Sequence, residues 1–363
     1  MGRWLRLVRR EARQEILLST PLPPSAAMKD ALAARDSNWS DRDCLCGSDP
    51  EWVLRQCVLQ SEQAAAVDDD TLPIAYPHLH FGESLYSALL GGKVHYVGTG
   101  SQTCSGAEPL LRDWEELGRL RLDDENPSLR QVLDILRFVA ARSEGRFFLM
   151  YFIFIDTLNL AVELRGTTQA YLDVHEAPDK LRRLMEFGIE LNTWFFRHQQ
   201  QIILPHNEAA SGGHPLTRVA PRWGVGWNSV DAYTLCHPRV YVELGQAYQR
   251  ELLKRVGGAE MHMHGTALLD LLPHVARLEG LASIQAGNDL HAGATFALLP
   301  ELKRLRRLAG DVPLTHLCLT PEEFETGIQE RMLVGAAHYV VPCRRPEQAE
   351  RYLRMAREYR APR

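Results

Sequence analysis

The chain has 363 residues, 45% of them hydrophobic and 24% charged, enough to bury a sizeable core without disulfide staples. Its net charge of −5 gives no broad basic field, which argues against nucleic-acid binding. Its seven cysteines, odd in number and irregularly spaced, predict reduced thiols and a cytoplasmic protein.

The N-terminus carries Arg3, Arg6, Arg9, Arg10 and Arg13 among Trp4, Leu5, Leu7 and Val8, with no apolar core and no cleavage site of a secretory signal. It reads as an amphipathic leading helix. Residues 1–70 lack a clear period and hold Pro21, Pro23, Pro24 and the acidic run 68–70, so they are expected to form an irregular, partly helical extension. This extension would pack on a main domain of residues 71–363. Cys44 and Cys46 have no matching second pair nearby and read as ordinary thiols.

Residues 94–97, 147–155 and 225–228 are strand candidates, and 178–196 and 238–256 are strong helices. The run 147–155 is continuously apolar, as an enclosed parallel strand requires, and is too short to cross a bilayer before Asp156 interrupts it. From residue 259 onward strand and helix alternate regularly. Strands are expected at 259–264, 281–286, 313–319 and 337–341, with helices at 267–278, 294–308, from 321, and at 346–359. Thr320 suits an N-cap, Pro321 the first helical position, and Glu322 and Glu323 the helix dipole. Successive βα units with short loops mean a parallel sheet. No G-x-G-x-x-G follows a strand, so a dinucleotide fold loses its main support. The expected fold is a (β/α)8 TIM barrel, with its working site at the C-terminal strand ends.

The densest chemical signal is Glu260-Met261-His262-Met263-His264. On a strand, Glu260, His262 and His264 share one face and the two methionines the other. In a barrel the polar trio points inward, where burial is costly unless the groups are paired or bind something. Two histidines at this spacing can reach one metal ion; a hydrogen-bonded core cluster is the plainer reading. Cys343 lies just past the last strand and would complete a zinc set of two imidazoles and a thiolate, leaving a fourth position open. Asp156, Asn288, Asp289 and His291 also follow strand ends. The loop 222–228 offers Arg222, Trp227 and Asn228 for an anionic substrate.

Over residues 72–359 the sequence resembles the uroporphyrinogen decarboxylase superfamily, and its methyltransferase branch more than the decarboxylase itself. The landmarks are Phe81-Gly82, Leu89-Leu90-Gly91-Gly92, Tyr171-Leu172-Asp173-Val174 before Pro178, His237-Pro238-Arg239, His262-Met263-His264-Gly265 and Ile284-Gln285. In the methylcobalamin:coenzyme M methyltransferases a His-x-Cys-Gly motif and a later cysteine bind zinc. The resemblance puts His262 and Cys343 at two of those ligands, with His264 in place of the middle cysteine and Asp289 near the fourth. It implies a zinc-dependent enzyme that activates a small-molecule thiol and methylates it from a methylcorrinoid donor, plausibly carried on a corrinoid protein. Asp156, Glu260 and Asp289 are the expected catalytic or supporting groups. The decarboxylase's Arg-Gln-Ala-Gly-Arg signature is not matched by Arg9-Arg10-Glu11-Ala12-Arg13. A metal-independent decarboxylase of an anionic tetrapyrrole and a non-catalytic binding barrel are the alternatives.

Overall fold

The computed structural model describes residues 1–30, 48–99, 102–214, 227–263, 268–286 and 297–362. Its centre is a six-stranded, wholly parallel sheet in the order β1-β10-β9-β8-β7-β6. Here β1 is Ile16–Ser19, β6 Trp227–Ser229, β7 Ala259–Met263, β8 Leu281–Ala286, β9 Leu314–Cys318 and β10 Ala337–Val340. A separate parallel pair joins β2, Ile74–Ala75, to β5, Phe148–Leu149. Segments flanking the pair reach the sheet. Phe154 makes a parallel bridge to Asn228, and Asp70 N donates to Leu18 O at 3.0 Å. The result is a mixed α/β architecture compatible with a TIM barrel, in which, among the described residues, regular strand ladders do not run the whole way round.

In the last third the observed elements follow the expected order. Thr320 accepts from Glu323 N, and the Glu323 side chain accepts from Thr320 N, closing a capping box at the start of helix Pro321–Gln329. Leu298, Leu299, Leu302 and Leu305 form the buried stripe of helix Leu298–Ala309.

Three segments depart from expectation. Residues 16–19, read as part of an irregular extension, are β1, in register with β10 from Ile16↔Ala337 to Ser19↔Val340. Residues 94–97 belong to β3, Val94–Thr99, which pairs antiparallel with β4, Gln102–Ala107, as a hairpin outside the main sheet. The long strand expected at 147–155 is regular over only two residues.

The physical reason for that last difference lies in helix Pro178–Ala210. Asn207 Oδ1 accepts from Leu149 N at 2.8 Å, Gln199 Oε1 from Phe152 N at 2.8 Å, and Asn192 Oδ1 from Ile155 N at 3.1 Å. Asn192 Nδ2 and Asn207 Nδ2 donate back to Ile155 O and Leu149 O. Side-chain amides seven and eight residues apart on one helical face thus satisfy backbone groups that a neighbouring strand would otherwise satisfy.

Candidate functional site

Alternation along β7 sorts its residues as the sequence predicts. Met261 and Met263 are fully buried in the main apolar core, while Glu260 and His262 take the opposite face. Glu260 is buried and accepts from Ser283 Oγ at 3.0 Å and from Thr315 Oγ1. Two hydroxyls thereby hold a carboxylate that would be expensive to bury alone. His262 stands one step nearer the C-terminal end. Its Nδ1 is 2.8 Å from Gln285 Oε1, and its Nε2 lies 3.9 Å from Asp231 Oδ2. With the proton on Nδ1 donated to Gln285, Nε2 carries the ring's lone pair.

Asp231 opens the turn that follows β6 and receives the next link of the network. Its backbone N–H donates to Ser229 Oγ at 3.1 Å, and Ser229 Oγ also accepts from Asn159 Nδ2 at 3.3 Å. Asn159 in turn donates from Nδ2 to Asp156 Oδ2 at 2.6 Å. Asp156 is the N-cap of helix Thr157–Arg165 and takes the N–H groups of Leu158 and Asn159 on Oδ1. Complete burial pushes its carboxyl up to about 8 against those hydrogen bonds, and the nearby Asp231 charge adds to the rise. Asp156, Asn159, Ser229, Asp231, His262 and Gln285 therefore form one polar arc across the strand ends.

The arc continues through two histidines that the sequence reading did not single out. Between β9 and β10 the register slips, so Thr315 and His316 together oppose His338. His316 occupies this bulge with φ +55°, a left-handed conformation that is strained for a residue with a side chain. Its ring meets that of His338 edge-on, with centroids 5.6 Å apart. His338 Nε2 lies 2.8 Å from Ser19 Oγ, which also accepts from Thr71 Oγ1 at 2.7 Å. Burial holds the basicity of His338 well down, with His316 adding to the effect, and the desolvated setting of the more exposed His316 ring lowers its basicity too, with His262 contributing. The bulge hides His316 from a period-two pattern, whereas the polar His338 inside an apolar strand was the signal available.

The remaining expected site residues divide. Asn228 is fully buried, and in register it sits beside Met261 on the helix-facing side, away from Ser229 and His262. Trp227 begins β6 in register with Glu260. Cys343 is buried, its Sγ 3.5 Å from Val341 O, and its thiol is pushed up to about 11 by burial with Asp69 contributing. The neighbours of His262 are instead Gln285, Asp231 and His316. Among the described residues no three His, Cys, Asp or Glu side chains gather as a metal site. Arg222, His264, Asn288, Asp289 and His291 lie outside the described residues.

No family model matches the sequence, and no curated protein does. Among solved structures, a methyltransferase from Methanosarcina mazei aligns with a TM-score of 0.62 over 98% of this chain and 97% of that one, at 12% identity. At that identity the likeness shows a shared fold over almost the full length. No helix among the described residues is long and apolar enough to cross a membrane.

Proposed function

We propose that this chain is a methyltransferase built on a (β/α)8 barrel of the uroporphyrinogen decarboxylase superfamily, methylating a small-molecule thiol at the strand ends. The single observation that carries this reading is the end-to-end backbone likeness to a methyltransferase. The polar arc around His262, at the end where barrel enzymes keep their chemistry, fits it.

Methylating a thiol forms a C–S bond with the sulfur's electron pair, breaks the donor's bond to the methyl group with that pair staying on the donor, and releases the S–H proton, so the site needs a proton acceptor beside the sulfur. His262 Nε2 suits that role. Gln285 fixes the tautomer from the other side of the ring, and the Asp231 carboxylate at 3.9 Å stabilises the imidazolium that results. The donor we propose is a methylcorrinoid, taken from the resemblance in sequence. Zinc enters the proposal on the same basis, and bound zinc would lower the thiol's pKa. His262, His264 and Cys343 are the residues that would hold it on that basis; among the described residues the Cys343 thiol lies beside Val341, Asp69 and Tyr352, and His264 is outside them. No step above depends on a metal. The decarboxylase alternative finds no arginine or lysine in the described arc.

The test is incubation of the full chain with methylcobalamin and a panel of small thiols, following methyl thioether formation, with bound metal measured on the same protein. Turnover by the wild type that falls roughly 100-fold or more in His262→Ala supports the proposal. No transfer with any thiol, with or without added zinc, would overturn it.

A further inference from the structure

A second concave surface lies at the opposite end of the sheet, among the segments that enter β1, β9 and β10. It is a groove of about 820 Å³, of the size that holds a small organic ligand. Its lining brings together Arg13, Lys303, Arg306 and Arg307, with Asp311 as the counter-charge. In a chain of net charge −5 this is a local reversal of sign.

The cations come from distant parts of the sequence, so no single helix accounts for them. Arg13 precedes β1, and the other three lie on helix Leu298–Ala309. The close approach of the two segments depends on Gly335, where a Cβ would come 2.2 Å from Arg13 O. Ala336 N donates to Glu15 O at 3.0 Å beside it.

Arg306 has a structural task that explains part of this charge. Its Nη1 donates to Ala336 O at 3.2 Å and its Nη2 to Gly310 O at 2.7 Å and to Val312 O, tying the helix to the loops before β9 and β10. Its Nε–H, however, is buried and has no acceptor among the described residues. Burial and the Arg10 charge both press against its protonated form, a stress that a bound anion would relieve. Arg13, Lys303 and Arg307 make no ion pair with any described residue, and all three are exposed. Met332, Leu333 and Val334 supply an apolar wall beside the charges.

We propose that this groove binds a small molecule with an oxyanion head and an apolar body, a phosphate ester of nucleotide size, at the end of the barrel remote from the candidate active site. Guanidinium forks match phosphate oxygens two at a time, and a ring or alkyl body would lie on the 332–334 wall. The concave form and limited extent of the positive charge favour a small ligand over a nucleic-acid backbone, which would need a longer basic track.

The experiment is isothermal titration of the full chain with pyrophosphate, ADP and citrate at fixed ionic strength. A double variant, Arg13→Ser with Arg307→Ser, is run in parallel. These side chains are exposed and unpaired, so the variant keeps the fold, as its thermal unfolding midpoint would verify; Arg306 is left intact because it ties the loops. The result expected is binding of pyrophosphate, tighter binding of ADP, and weakening of both by roughly tenfold or more in the variant. The proposal is overturned by absence of binding of pyrophosphate and ADP up to about 5 mM, by equal affinity in the variant, or by binding of citrate alone.

Discussion

Asp156 joins the beginning of a helix to the polar arc, and its environment has a measurable consequence. Its carboxyl is raised to about 8 in the folded chain, whereas an unfolded aspartate titrates near 3.9. Between those values the folded form holds a proton that the unfolded form releases. The contribution of this group is therefore fully present below about pH 4 and is lost as pH rises through about 8. Denaturant titrations at pH 5 and pH 8.5 should show Asp156→Asn losing less stability across this interval than the wild type. Parallel losses would contradict the assignment. His316 permits a second test at the same scale. Its left-handed backbone at φ +55° favours glycine, so His316→Gly should raise stability by about 0.5–1 kcal/mol while lowering turnover. A loss of stability would show that the imidazole's contacts outweigh the strain.

At the scale of elements, helix Pro178–Ala210 does part of the work of a strand. Asn192 accepts from Ile155 N and donates to Ile155 O, and it also accepts from Tyr86 Oη at 2.8 Å. Replacing it by leucine, near in size, would take the donor from Ile155 O and leave Ile155 N only the longer 3.4 Å contact to Tyr86 Oη, which keeps its bond to Ile153 O. Asn192→Leu should cost about 2–4 kcal/mol in denaturant unfolding, and a change under about 0.5 kcal/mol would refute the pairing role. This arrangement also marks where the sequence stopped being readable. The βα units after residue 259 were legible because their signals are local, as in the Thr320 capping box and the alternation of Glu260, Met261, His262 and Met263. The run 147–155 is apolar enough for a strand, yet what completes it comes from amides some 40 to 60 residues away. The site followed the same rule. Glu260, His262 and Asp156 were visible from their positions in strand and cap. Asp231, Ser229 and Asn159 become functional candidates only when β6 aligns with β7 and the helix after Asp156 turns over them. Strand order alone placed Cys343 after the last strand but did not say that its thiol would meet Val341 O.

For the whole molecule, the question is what holds the first strand to the rest. The acidic run 68–70, read as part of an irregular extension, is the fastening. Asp70 accepts from Arg3 Nη1 and from Leu18 N, while its own N–H reaches Leu18 O. Asp69 Oδ2 takes Thr20 N and Thr20 Oγ1. Asp70→Ala would leave the Leu18 N–H without its acceptor and the partly buried Arg3 with Ile16 O alone, so a loss of about 2–4 kcal/mol is expected from denaturant unfolding. Stability within about 0.5 kcal/mol of the wild type would show that β1 is held by its β10 ladder alone.

β1 matters to function because Ser19 ends it and orients His338, the far end of the arc that begins at Asp156. The central claim is that this arc runs methyl transfer through His262. Its most direct measurement is the rate of thiol methylation from methylcobalamin, with wild type, His262→Gln and Asp231→Asn compared at equal protein stability. The predicted result is loss of most of the activity in His262→Gln, where the proton acceptor is gone, and a smaller loss in Asp231→Asn, where the imidazolium has lost the carboxylate 3.9 Å away. Wild-type rates in both variants would contradict it, and the chemistry would have to be sought elsewhere on the molecule.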